Sequence, residues 1–179
     1  MLCQDACFVG TIQGVGKISM QGVVHARCSL TFAPLTQSRT PVTAVDTLYS
    51  RVLPFYEKKG AAVERVLTDN GREDCGRPLR HFCEILLALN QIELRRAEFR
   101  PPESNGFCKR FHRTVKEELF TMAFRKTSSE SLDQFEAALV HYLDFDNRER
   151  AHHGYRTKGR TPSQAFSDDL ALRPDREAA

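Results

Sequence analysis

The chain has 179 residues, 41% of them hydrophobic and 27% charged, with a net charge of +3 and six cysteines. This is the balance of an ordinary soluble domain, large enough to bury roughly 70% of its unfolded surface. No apolar run approaches a membrane span, which excludes a helical membrane protein. Residues 1–10 lack the basic and apolar regions of a signal peptide, so the expected setting is cytoplasmic. The cysteines form no C-x-x-C pair and have no histidine pair at zinc-finger spacing, so they read as free thiols, several of them buried. Charge is unevenly spread. Residues 95–126 carry an excess of +5 and residues 147–160 an excess of +4, leaving −6 for the rest. A basic C-terminal half on an acidic body suits either a phosphate-binding face or a solvated helix face.

Residues 2–9 read as a strand with Asp5 in its interior, where a buried carboxylate must be paired or bind a metal. Gly10 to Gly16 reads as a turn, 17–24 as a second strand and 27–35 as a third, forming an antiparallel meander. The glycines open no helix and make no nucleotide loop. From Pro41 the period becomes helical through Val42, Val45, Leu48, Val52 and Phe55, and Gly60 closes that helix. A strand at 63–68 leads to Asp69, and Asn70-Gly71 forms a turn. A helix is expected over 78–89 and a short strand over 91–96. The stretch Arg100-Pro101-Pro102-Glu103-Ser104-Asn105-Gly106 excludes helix.

A long helix follows from about 107 to 124. Phe107, Phe111, Val115, Leu119 and Met122 form its expected core stripe, with Lys109, Arg113 and Lys116 on roughly the opposite face. A last helix near 131–146 should bury Leu132, Phe135, Leu139 and Tyr142. Residues 147–166 read as a basic, turn-rich tail, and 167–179 as disordered. The order β-β-β-α-β-α-β argues for an α/β layered domain with a mixed five-stranded sheet flanked by helices.

A strand ending in Asp69 is by itself equally suited to a turn cap. Three segments together carry more: Leu67-Thr68-Asp69-Asn70-Gly71-Arg72-Glu73, Pro102-Glu103-Ser104-Asn105-Gly106-Phe107 and Arg110-Phe111-His112-Arg113-Thr114. They resemble the integrase catalytic core of bacterial insertion-sequence transposases, the IS481/IS3-like group of the retroviral-integrase superfamily. The stretch from Tyr142 through Arg150-Ala151-His152-His153-Gly154-Tyr155 is similar to that group's YN-x-x-RPH-x-GY segment, and Thr161-Pro162 fits its ending. The similarity runs from about Cys3 to Phe166. It implies an RNase H-like core over 1–166, with no N-terminal helix-turn-helix, that acts in DNA integration.

The resemblance also implies two Mg²⁺ (or Mn²⁺) ions held by an Asp-Asp-Glu triad. Such a pair activates the attacking oxygen and stabilises the leaving oxygen of a phosphodiester displacement. Asp5 and Asp69 match the two aspartates. Lys109 stands where the glutamate belongs, and an ammonium is no metal ligand. At 4 Å it would repel a unit charge by roughly 4 kcal/mol at an effective dielectric of about 20. Glu103 and Glu117 are poorly placed to substitute. The expectation is a DDE-type polynucleotidyl transferase by descent, weak or inactive, with Lys109 paired to Asp69 or Asp5.

Arg110, Arg113, Lys116, Arg100 and Asn105 match positions that contact DNA in relatives. His112 reads as a packing or surface residue, and His152 and His153 as structural or phosphate-facing. Tyr155 reads as an anchor against the last helix. The other departures are His25, Ala151 and the run Asp144-Phe145-Asp146. Expected partners are DNA and either a second copy of the chain or an intact transposase. The alternative is a non-catalytic nucleic-acid-binding or oligomerisation remnant.

Overall fold

Alternating side chains along the first 25 residues build the centre of the sheet. The computed structural model describes residues 1–68, 84–96, 105–122 and 131–172. Strand β1 (Leu2–Ile12) pairs antiparallel with β2 (Gly16–His25), with Asp5 opposite Gly22. Two short strands, β3 (Thr31–Phe32) and β4 (Leu35–Thr36), both pair with β2. On the other side β5 (Arg65–Thr68) runs parallel to β1, and β6 (Glu93–Arg96) runs parallel to β5. The result is a mixed sheet of six strands in the order β3-β2-β1-β5-β6, with β4 also on β2.

This is the α/β class expected from the sequence, with six strands in place of five. The single strand expected over 27–35 is interrupted at Ala33-Pro34. Proline has no N–H to give to the ladder, although the Pro34 carbonyl accepts from Gln21 N at 3.0 Å.

Helix α1 runs through Pro41–Thr47, a π-helical segment Leu48–Val52 and Leu53–Lys58. Thr40 forms a capping box and Pro41 occupies the first turn, as N-terminal signals predict. Gly60, at φ +64°, closes the helix in the left-handed conformation that glycine tolerates. Leu48, Val52 and Tyr56 of α1 pack with Leu2, Val23 and Val66, one face of the sheet. Leu87, from the described helical residues 84–89 (α2), joins them.

Helix α3 (Gly106–Val115, continued by a π-helical segment Lys116–Phe120) covers the opposite face. There Val115 and Phe120 pack with Ile18 and Met20, and with Phe135 and Leu139 of α4 (Leu132–Arg148). Asn147 ties α4 to the sheet edge. Its side-chain Oδ1 accepts from Thr31 N and its Nδ2 donates to Thr31 O, each at 2.9 Å.

Part of the expected tail is a helix, α5 (Pro162–Ala171), so residues 167–171 continue an ordered element. Thr161 and Gln164 form its capping box, and Phe166 is 6% exposed in the core. Burial of that ring is worth roughly 2–3 kcal/mol, enough to order a segment whose polarity suggested coil. The Asp69-Asn70-Gly71 turn, the start of the helix expected from 78, Arg100 and the residues beyond 172 lie outside the described residues.

Candidate functional site

Strand β5 ends at Thr68, whose register partner on β1 is Gln4. Asp5 is the next residue of β1. Its carboxylate is on the α3 face of the sheet, with its side chain 13% exposed, and His112 of α3 meets it there with Nδ1 3.6 Å from Oδ2. His112 is itself 7% exposed. Gly22 makes this possible: a Cβ at that position would lie 2.5 Å from His112 Nε2. A glycine opposite Asp5 is therefore what admits an imidazole between helix and sheet.

Burial first, then the positive charges of Lys116 and Arg39, push the His112 pKa down to about 4. The ring is neutral at physiological pH, so the contact with Asp5 is a dipole meeting a carboxylate and not a full ion pair. Arg39 also donates from Nη2 to Ala6 O at 3.0 Å. Cys7, one side-chain position further along the same face, feels Lys116, Asp5 and Arg39. His112 and Cys7, the neighbours of Asp5 on this face, both feel the charges of Lys116 and Arg39.

Of the expected core stripe of α3, Phe111, Val115 and Leu119 pack in the core, while its two ends do not. Cys108, His112, Val115 and Phe120 are its buried residues, whereas Phe107 and Met122 are 36% and 52% exposed. Cys108 Sγ donates to Cys3 O at 3.0 Å. The small Cys108 and the space at Gly22 bring this face close to the sheet, and in the π-helical segment both Leu119 and Phe120 join the core.

Arg110 and Arg113 are exposed, while Lys116 is half-buried and acts on the Asp5 pocket. Asn105, expected at a DNA interface, is fully buried and donates from Nδ2 to Gln4 O at 2.8 Å. It ties the start of α3 to β1. Lys109 is exposed on α3, and the ion-pair partner that the structure gives Asp5 on this face is His112. A Lys109–Asp69 pair involves a residue outside those described. His112 was the residue whose importance sequence reasoning missed. Its signal was the i, i+4 spacing from Cys108, hidden by the stronger aromatic stripe.

Among the described residues no group of three His, Cys, Asp or Glu side chains gathers, and Asp69 lies outside them.

On the other side of α3, the basic segment after α4 forms a charged network. Arg150 donates to Glu118 Oε2 at 2.5 Å and to Asp146 Oδ1 at 3.2 Å, and His152 Nε2 lies 3.5 Å from the same Asp146 oxygen. Tyr142 donates to Glu118 at 3.0 Å. Burial, then this bond, raises the Tyr142 pKa well above its usual value. His152 therefore has the structural setting expected for it. Tyr155, expected as an anchor, is 80% exposed.

No protein-family model matches the chain, and no curated protein sequence matches it. Solved structures do. A simian T-cell lymphotropic virus intasome in complex with the PP2A regulatory subunit B56 gamma aligns with TM-score 0.68 and 18% identity over 99% of this chain; the alignment spans 55% of that chain. The catalytic core domain of BIV integrase aligns with TM-score 0.62 and 20% identity over 95% of each chain. The HTLV-2 integrase catalytic core domain, in a trimeric form in complex with magnesium, aligns with TM-score 0.63 and 15% identity over 92% of this chain and 93% of that one. The chain has the RNase H-like α/β fold of retroviral integrase catalytic cores.

Proposed function

We propose that the chain is an integrase-type core of transposase descent, of the IS481/IS3-like kind, that binds DNA through its basic face and is impaired in strand cleavage and transfer. The observation that carries this reading is the register of β1 and β5. The last pair, Gln4 with Thr68, is followed in the sequence by Asp5 on one side and by Asp69, outside the described residues, on the other. Relatives of this fold include a core in complex with magnesium, and Asp5 with Asp69 would be the residues to hold such an ion here. When bound, the ion would polarise a phosphodiester oxygen. Lys109 stands at the position of the third carboxylate, and His112 is already against Asp5, so ion uptake would be lost or severely weakened.

Arg110, Arg113, Lys116 and Arg100 would contact phosphates without reading sequence. Asn105, bonded to β1, would set the position of α3. Exposure of Arg110 and Arg113, outside the Asp5 pocket, also favours a second reading, a non-catalytic DNA-binding or oligomerising module. Related cores occur in dimeric and trimeric forms, and either self-association or pairing with an intact transposase would follow from that reading.

Two assays separate these. Nicking with Mg²⁺ or Mn²⁺ should be negligible for the wild type and rise in Lys109→Glu; robust wild-type nicking abolished by Asp69→Asn would overturn the impairment. Duplex binding should weaken with salt, and Arg113→Ala should reduce the slope of log K against log salt by about 1. Absence of binding at low salt would remove the DNA role.

A further inference from the structure

A cleft of about 500 Å³ lies between α3 and the segment after α4, on the side of α3 away from Asp5. Four arginines line it (Arg27, Arg110, Arg150 and Arg156) against one acidic residue, Asp146. Arg150 is paired with Glu118 and Asp146, and Arg27 with Asp169, so the positive charge the cleft can offer rests on Arg110 and Arg156. The cleft also presents flat surfaces. The Arg156 guanidinium carbon lies 5.8 Å from the Phe107 ring centroid and 5.5 Å from that of Tyr155. Arg156 is held in place by donating from Nη1 to Ala26 O at 2.9 Å. Tyr155 is 80% exposed, which leaves most of its ring open to a ligand.

Exposed rings beside fixed guanidinium groups are the elements of a single-stranded nucleic-acid site: phosphates meet the arginines and bases stack on the rings. An apolar peptide would leave the arginines unmatched, and an acidic peptide would leave the rings unused. We propose that this cleft binds an unpaired stretch of nucleic acid, with a base stacked on Tyr155, next to the duplex-binding face of α3. The inference rests on the DNA-binding reading above and adds a single-strand site to it.

The test uses the full chain and three fluorescent probes: a blunt duplex, the same duplex with a 3′ overhang of thymidines, and the overhang carrying 2-aminopurine. The overhang should tighten binding about tenfold, within the range known for stacking one base, and 2-aminopurine emission should be quenched. Tyr155→Ala should abolish both effects and leave blunt-duplex affinity unchanged. Tyr155→Phe should retain both, because the ring and not the hydroxyl makes the contact. Blunt-duplex binding without an overhang gain, or a gain that survives Tyr155→Ala, would overturn the cleft while leaving the DNA-binding reading intact. Displacement of the overhang by an oligoglutamate peptide with no quenching would show an acidic-peptide site and would also overturn it. Failure of every probe to bind would remove both.

Discussion

The two sides of α3 hold charge in opposite ways. Toward β1, a carboxylate and an imidazole lie together at 13% and 7% exposure, and burial keeps the imidazole neutral. Away from β1, Arg150, Glu118, Asp146 and Tyr142 form a network that is partly open to water, and Arg156 and Tyr155 stand beside it. The first side is packed protein; the second is a lined cleft. The difference explains how a chain can have an integrase-type fold and, on our reading, retain a nucleic-acid surface while its carboxylate site is compromised. Metal chemistry needs several anionic donors converging at once, whereas phosphate binding tolerates the loss of any one cation.

Substitutions can break or sharpen this contrast. The largest effect is expected at Arg150. Its replacement by alanine leaves Asp146, whose side chain is 6% exposed, without its arginine. Stranding one partner of a buried pair costs about 3 kcal/mol, read as a shift in urea midpoint. A change under about 0.5 kcal/mol would mean that the network is an ordinary surface pairing.

Next is Gly22→Ala, whose new methyl would meet His112 Nε2 at 2.5 Å. Overpacking of this kind costs about 2 kcal/mol. In a His112→Ala background the same change should cost almost nothing, because the atom it strikes is gone. Additive losses would show that His112 does not fill the space beside Asp5.

A separate effect is expected outside physiological pH. Burial pushes the thiols of Cys3 and Cys7, on the Asp5 face, up to about 11 from 9.0. A raised native pKa gives stability that is complete below the unfolded value and lost as pH rises through the native one. Stability should hold to about pH 9 and fall between about 9 and 11, by up to about 2.7 kcal/mol per thiol. Alkylation of both should be slow at pH 8 in the native protein. Rapid alkylation would mean that the Asp5 side is open to water.

Much of the frame was legible in the residues. Period-two alternation set β1 and β2, and Pro41 and Gly60 bounded α1. Less legible were features that depend on contacts between distant segments. The stripe expected for α3 holds at Phe111, Val115 and Leu119. The buried face also takes in Cys108 and His112, because Gly22, 90 residues away from His112, leaves room there. Helix α5 had a readable start in Thr161-Pro162-Ser163-Gln164, a capping box with proline in the first turn, which the surrounding basic turns obscured. Asp5 drew attention as a carboxylate inside a strand, but a strand pattern contains nothing to say that an imidazole would face it.

Calorimetric titration of Mg²⁺ into the full chain tests the central claim most directly, with Lys109→Glu and Asp5→Asn alongside. The account predicts no saturable uptake of two ions by the wild type, and measurable uptake once Lys109 is replaced by glutamate. Two ions bound per wild-type chain, lost on Asp5→Asn, would contradict it.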